Sequence, residues 1–435
     1  MEMEDPQPRP HLFQVAQCRK NFKNHPISHL FLLLSTVLYI PTPNEYFERI
    51  HRIVSLLDDE NAKILNAMRE HGPRNLQQIA RKTGIPPPTV RARVSKLEGQ
   101  GILHTWIWPD YAKIGLQKAM VVVTPAVGKE ILAREALRIP GYWLRIIRCL
   151  GDCNGYYSLH AIPDSKRQEF EQYLDQLVAL GVASSYRIFW LGETHSPLPN
   201  FEYFDSQKKT WKFDWSKWLE SMSRGRDTRA SSRPSFSSPP FDRKDLVILK
   251  ELEKNGRMRM VELAKLLGVT LPAVKYRFDN LVKRGFVVEY VIDVLPYAME
   301  VSELLEVRLD FADEGRMENA VRIVGTLPFI KTFSTLKARS SLTLRAYLPR
   351  AEMNNFLQFL SALTRRGVLD GFYLLILEPM SIQAQTLGYK AYTDEQGWHY
   401  DNREHLRELR NLTGKFETGK VEQWALPPNM LETIS

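Results

Sequence analysis

Two stretches of this chain carry side chains spaced for hydrogen bonding along one face of a helix. In Pro87 to Glu98 the apolar Val90, Val94 and Leu97 recur at helical spacing, which leaves Thr89, Arg91, Ala92, Ser95 and Lys96 on the other side. The matching stretch further on turns out Ala273, Lys275, Tyr276, Asp279 and Asn280. Arg, Lys, Asn and Ser on an outward helix face can bond base edges in a major groove, while nearby cations neutralise phosphates. Arg93 and Arg277 stand at the rim of the buried stripe, where a guanidinium reaches either a phosphate or a neighbouring carboxylate. Lys283, Arg284, Arg224, Arg226, Arg229 and Arg233 add positive potential without sequence information. For the last four, plain solubilisation is an equal explanation.

Each of these helices is the third of a trio. Asp58 to His71 carries Ala62, Ile64, Leu65 and Met68, and Leu76 to Lys82 carries Ile79 and Ala80. Gly84 ends the second helix and leaves a four-residue turn before the third, which is a helix-turn-helix spacing. After Gly101, the run Ile102 to Trp108 reads as the strand of a wing. The second trio repeats this with Leu263, Ala264, Leu267, Gly268, Val274, Phe278, Leu281 and Gly285, followed by Phe286 to Ile292. Thr270 can cap its third helix, whereas the first trio has Pro86-Pro87-Pro88 and no capping hydroxyl.

The chain is therefore a tandem repeat. Leu57 to Thr105 lies on Phe241 to Glu289 without a gap at an offset of 184, and 11 of the 49 positions are identical. Each trio is followed by a segment reading β-α-β-β-α-β, the order of a ferredoxin-like split βαβ. In the first copy the strands are Ala119–Thr124, Tyr142–Leu150, Tyr156–Ile162 and Ser184–Leu191; in the second, Leu304–Phe311, Ile330–Leu336, Ser341–Leu348 and Gly371–Glu378. The expected division is a helical N-terminal extension at 1–56, a winged helix-turn-helix at 57–110, a ferredoxin-like domain with an aromatic tail at 117–220, and a Ser-, Pro- and Arg-rich linker at 221–240. A second winged helix-turn-helix then occupies 241–296, a second ferredoxin-like domain with its aromatic tail 303–408, and a C-terminal tail 409–435. The fold class is α+β.

These residues resemble the Lrp/AsnC, or feast/famine, family of transcription regulators. The carriers are the openings Asp58-Asp59-Glu60-Asn61-Ala62-Lys63-Ile64-Leu65 and Asp242-Arg243-Lys244-Asp245-Leu246-Val247-Ile248-Leu249, and the runs Val90 to Ile102 and Val274 to Phe286, similar to the family's "V..R...L...G.I". The resemblance implies a regulator of double-stranded DNA. The few cysteines suit a reducing, cytoplasmic setting, and the sequence offers no Gly-rich phosphate loop, Ser-His-Asp grouping or metal-ligand spacing, so no catalytic residues and no cofactor are expected. The resemblance also implies a small effector such as an amino acid, an intrachain pseudo-dimer, and surfaces for further pairing. Near the effector pocket of sensing members the family carries a Gly followed by Tyr-Asp. Here Gly151, Asp152, Gly155 and Tyr156 are the matching ligand-binding candidates, whereas Lys337 to Ser341 keeps neither feature. A tight hairpin alone would also account for Gly151 and Gly155.

Siroheme decarboxylases share the head-and-tail fold and carry Arg and His after the helix-turn-helix, where this chain has His104-Thr-Trp-Ile-Trp-Pro and Val288-Glu-Tyr-Val-Ile-Asp. His104 reads instead as a wing residue and His160 as a core histidine. A protein-binding regulator that leaves DNA alone is the remaining alternative. The aromatic runs Phe201 to Trp218 and Tyr389 to Tyr400 share a Trp-x-aromatic-Asp element and are expected to cover the sheet or the junction between copies rather than stack nucleic-acid bases.

Composition fits this reading. The chain has 435 residues, a net charge of +9 and 44% hydrophobic residues, which excludes global disorder and suits a polyanionic partner. Cys18, Cys149 and Cys153 are too few for a disulfide framework and lack metal-ligand spacing. The apolar run His29 to Pro41, preceded by Arg19, Lys20 and Lys23, is too short to span a bilayer and too far from the start for a signal peptide. It is expected to be a packed helix, followed by a second at Glu45 to Leu57.

Overall fold

The computed structural model describes residues 43–224, 240–386 and 388–419. The helix expected at His29 to Pro41 lies outside them, as do Arg226, Arg229 and Arg233.

The first copy runs α1 (Pro43–Ser55), α2 (Asp59–His71), α3 (Leu76–Thr83), α4 (Pro87–Gly99), β1 (Leu103–Pro109), β2 (Leu116–Pro125), α5 (Glu130–Ala136), β3 (Trp143–Gly151), β4 (Gly155–Pro163), α6 (Arg167–Ala179) and β5 (Ala183–His195). A small hairpin, β6 (Phe204–Asp205) and β7 (Thr210–Trp211), then leads into α7 (Trp215–Ser223). The second copy follows with α8 (Arg243–Lys254), α9 (Met260–Leu267), α10 (Leu271–Lys283), β8 (Val287–Val294), β9 (Ser302–Phe311), α11 (Glu314–Val324), β10 (Ile330–Leu336), β11 (Ser341–Pro349), α12 (Met353–Arg365) and β12 (Leu369–Leu377). It ends in β13 (Gln383–Ala384), the hairpin β14 (Tyr392–Thr393) and β15 (Gly397–Trp398), and α13 (Asn402–Glu417).

The four long strands of each copy form an antiparallel sheet, in the orders β5-β2-β4-β3 and β12-β9-β11-β10. The two sheets then share their edges. β5 pairs with β10, His195 opposite Phe333, and β12 pairs with β3, Leu377 opposite Cys149. The eight strands thus close into a ring in which each sheet's edge is covered by the other copy, which removes the free edges that would otherwise template further pairing.

The helical heads are joined in the same reciprocal way. β1 and β8 form an antiparallel ribbon from Leu103 opposite Val294 to Trp108 opposite Glu289. Ile292 and Val294 of β8 complete the apolar core of the first head, and Ile107 of β1 belongs to the core that includes Leu246, Leu249, Val274 and Leu281 of the second. Neither head closes its core with its own strand alone.

The aromatic tails are exchanged as well. Trp218 and Met222 of α7 are buried against Phe329, Phe356 and Leu360 of the second copy, and the Trp215 indole donates to Glu352 at 2.8 Å. Trp398 donates to the Ile114 carbonyl at 2.5 Å, and Tyr400 is buried in the core of the first copy. The repeated Trp-x-aromatic-Asp element has a definite local role. Asp214 caps α7 through the Lys217 N–H at 3.0 Å, and Asp401 caps α13 through the Arg403 N–H at 2.9 Å. These aromatics are consumed by packing, in line with the covering role expected of them.

Candidate nucleic-acid interface

In the first head, Val90, Val94 and Leu97 are fully buried and hold α4 against α2 and α3. On the far side Arg91, Ala92, Ser95 and Lys96 are exposed, and Thr89 is half-buried. In the second head Val274 and Leu281 are buried, Lys275, Tyr276 and Asp279 are exposed, and Ala273 and Asn280 are half-buried. Tyr276 is 70% exposed, a large aromatic held in water. The Thr270 hydroxyl accepts from the Ala273 N–H at 3.4 Å, whereas Pro86 leaves α4 without a side-chain cap.

Of the two partners open to Arg93 and Arg277 at the rim of the buried stripe, both arginines engage carboxylates. Arg93 Nη1 lies 2.8 Å from Asp58 Oδ2, and Nη2 pairs with Glu60. Arg277 Nη2 lies 2.9 Å from Asp242 Oδ2 and Nη1 2.8 Å from Asp245 Oδ1. Asp58 and Asp242 are the N-caps of α2 and α8, accepting from Asn61 N–H at 2.7 Å and Asp245 N–H at 2.9 Å. The repeated arginine therefore ties the third helix to the start of the first in both heads, and the same two carboxylates serve as caps. Arg284 is also engaged, donating to the Pro240 carbonyl and lying over the Phe286 ring at 5.0 Å. Arg224 lies 3.6 Å from Glu220 with its side chain 79% exposed.

Residues that drew no attention in the sequence fix one head against the other. Arg74 donates to the carbonyls of Gly256 and Met258, each at 2.8 Å, and its guanidinium lies over the Phe278 ring of α10 at 5.1 Å. Arg69 pairs with Glu289 of β8 at 2.9 Å, and Arg257 pairs with Glu98 at the end of α4. The available signal was Gly72/Gly256 at matched positions of the repeat, but nothing in periodicity says that a neighbour's arginine will bind such a turn. His104 sits on β1 with Nε2 3.0 Å from the Lys254 carbonyl, another contact between heads.

The ligand-binding candidates of the β3–β4 turn are occupied by the junction between copies. Gly151 has φ 104°, and a Cβ there would lie 2.7 Å from the Leu374 carbonyl oxygen of β12. The Asp152 N–H donates to that same oxygen at 3.1 Å, and its carboxylate accepts from the Leu374 N–H at 2.6 Å. A Cβ on Gly155 would meet the Val123 carbonyl at 2.0 Å, and the Tyr156 ring is buried under the Arg148 guanidinium. The glycines are required by close backbone approach, and Asp152 by a strand that sequence periodicity could not assign as its neighbour. Asp152 does border a small cavity of about 20 Å³ with Arg187, Arg308 and Tyr373.

His160 is fully buried, with Nε2 3.0 Å from Ser158 Oγ, and burial pushes its pKa down to about 3. It is a neutral core histidine. Among the described residues no group of three or more His, Cys, Asp or Glu is placed to hold a metal ion, and no helix is long and apolar enough to cross a membrane.

Residues 57–98 match the AsnC-type helix-turn-helix domain, and residues 241–288 match the winged helix-turn-helix DNA-binding family. An uncharacterised HTH-type transcriptional regulator of Pyrococcus furiosus is 31% identical over 123 residues, 28% of this chain and 79% of that protein. A second from the same organism is 28% identical over 114 residues, 26% of this chain and 75% of its own length. Among solved structures, an AsnC family transcriptional regulator from Agrobacterium tumefaciens is similar at 18% identity with a TM-score of 0.27, over 32% of this chain and 91% of that one. The siroheme decarboxylase NirDL is similar at 15% identity with a TM-score of 0.46, over 82% of this chain and 100% of that one. With two matching heads, and a relative of this identity and coverage, the chain belongs to the Lrp/AsnC family of helix-turn-helix transcription regulators.

Proposed function

We propose that this chain is a sequence-specific, duplex-DNA-binding transcription regulator in which α4 and α10 act as a non-identical pair of recognition helices, so that one chain supplies what two subunits provide. The observation that carries the reading is the reciprocal joining of the heads. The β1–β8 ribbon and the Arg69, Arg74 and Arg257 contacts hold them as a unit, while both third helices keep an exposed polar face. Arg91, Ser95 and Lys96 would read or clamp one half-site and Lys275, Tyr276, Asp279 and Asn280 the other, with Thr89, Ala92 and Ala273 supplying contact surface. Arg93 and Arg277 serve the helices rather than the DNA. Because their outward faces differ, the two helices should prefer unequal half-sites.

Titration of the full chain against duplex and single-stranded fragments at several salt concentrations tests this. Phosphate neutralisation by several cations predicts duplex binding whose affinity falls steeply between roughly 50 and 200 mM salt. Absence of duplex binding, or an affinity indifferent to salt, overturns the reading.

A further inference from the structure

Where the closed ring of strands meets the wing ribbon it holds a cavity of about 30 Å³, walled in part by Trp108, Lys118, Arg145, Thr194, Glu306 and Arg345. Three of these are cations and one is a carboxylate. Arg345 is satisfied, with Nε 3.0 Å and Nη2 2.7 Å from Glu306 Oε2 and its guanidinium over the Tyr157 ring at 4.9 Å.

Lys118 and Arg145 are different, because among the described residues neither has a carboxylate within ion-pair distance. The Lys118 ammonium donates to the Thr194 hydroxyl and rests over the Trp108 ring at 4.9 Å. The Arg145 side chain makes no hydrogen bond among the described residues, and its Nε is buried without a partner. The carboxylates closest in effect to Lys118 are each engaged elsewhere: Asp110 lies 3.8 Å from Lys113, Glu289 pairs with Arg69 at 2.9 Å, and Glu253 accepts from Tyr111 at 2.5 Å. Burial accordingly lowers Lys118 to about 7 and Arg145 to about 10.

A buried ammonium and a half-buried guanidinium whose Nε is buried without a partner face one void, an incomplete arrangement that an anion would complete. We propose that this cavity binds a small monovalent anion, a halide or the carboxylate group of a small molecule, between the Lys118 ammonium and the Arg145 guanidinium. The volume is about twice what a single water needs, which suits a halide or the two oxygens of a carboxylate and is too small for a phosphate with its four oxygens. The position gives the ligand a route to the heads. Trp108, under Lys118, belongs to β1, and its indole donates to Ser196 Oγ at 2.7 Å, while the Ser196 N–H donates to Glu289 of β8 at 2.7 Å. The proposal stands whether or not the heads bind DNA.

Calorimetric titration of the full chain tests it, in halide-free buffer with ionic strength held by a bulky sulfonate, using sodium chloride, formate and butyrate in separate runs. Saturable binding of one anion per chain is expected, weakened at least tenfold in Arg145→Gln and in Lys118→Met and unchanged in Lys166→Gln, whose side chain pairs with Glu169 at 2.9 Å and does not line the cavity. Chloride and formate binding without butyrate identifies an ion-sized site; binding of butyrate as well identifies a carboxylate group entering from a larger molecule. No saturable heat with any of the three, or binding unaltered in Arg145→Gln, overturns the proposal. Circular dichroism of each variant establishes that it is folded, and a rise in melting temperature with formate in the parent chain that is absent in folded Lys118→Met gives an independent reading.

Discussion

Glu306 and Arg345 occupy in the second copy the positions that Met120 and Leu159 occupy in the first. Met120 stands opposite Leu159 between β2 and β4, as Glu306 stands opposite Arg345 between β9 and β11. The ionic pair is buried, Glu306 5% and Arg345 6% exposed, and Glu306 also accepts from the Thr343 hydroxyl at 2.6 Å. Replacing Glu306 by Met alone strands a buried guanidinium beside Arg145 and a hydroxyl without its acceptor, so the loss should be about 3–5 kcal/mol. The double replacement Glu306→Met, Arg345→Leu writes the first copy's apolar pair into the second and removes both charges together. It should come out between neutral and roughly 1–4 kcal/mol more stable than the parent chain. Urea midpoints followed by far-ultraviolet circular dichroism, in halide-free buffer, measure both. A single variant that costs under about 1 kcal/mol, or a double variant no better than the single, would refute the reasoning that desolvation outweighs attraction in this pair.

Other consequences are as direct. Burial lowers Lys118 from 10.5 to about 7, so between those pH values the unfolded chain holds a proton that the folded chain has shed. Stability contributed by this group therefore rises with pH across that window, by up to roughly 4–5 kcal/mol, and is flat below it. Lys118→Met should be more stable than the parent near pH 7 and lack the rise; parallel stability curves for the two would contradict this. Trp218→Ala should cost about 3–5 kcal/mol and speed hydrogen exchange in β10 and α12 of the second copy while sparing the first, because α7 packs across. Arg277→Ala should lower stability by about 1 kcal/mol, as its pairs are partly exposed, and leave the salt dependence of duplex binding unchanged. A slope reduced by about one unit would instead assign Arg277 to phosphate.

Much of the architecture was legible because it is written twice. The in-register recurrence of Ile64/Ile248, Gly84/Gly268, Val90/Val274 and Leu97/Leu281 identifies the heads, and the strand periods after each head identify the α+β tails. What periodicity cannot carry is which copy a strand or helix completes. The register of β5 on β10, of β12 on β3 and of β1 on β8 depends on contacts between segments over a hundred residues apart. For the same reason the Trp-x-aromatic-Asp element could be recognised as a cover, but the exchange of α7 and α13 between copies could not. Gly151 and Asp152 were ligand candidates through the family resemblance, and their packing role was not legible because their neighbour, Leu374, belongs to the other copy. For Arg93 and Arg277 phosphate and carboxylate stayed equally open, because a rim position on a helical wheel does not reveal the capping aspartates they meet. Lys118, Arg145 and Arg345 were charges inside or beside apolar strands, and only closure of the ring brings them to one cavity.

The central claim is that one chain presents two different recognition helices to duplex DNA, and selection of bound duplexes from a random library by the full chain tests it most directly. Enriched sequences should contain two unequal half-sites about one helical turn, roughly 10 base pairs, apart or a multiple of that. Lys96→Ala should relax base preference in one half-site and Asn280→Ala in the other, each by roughly 1–3 kcal/mol. No enrichment of any duplex would contradict the claim, and a perfect palindrome in which both substitutions alter the same base positions would show that the two helices do not act as a distinct pair.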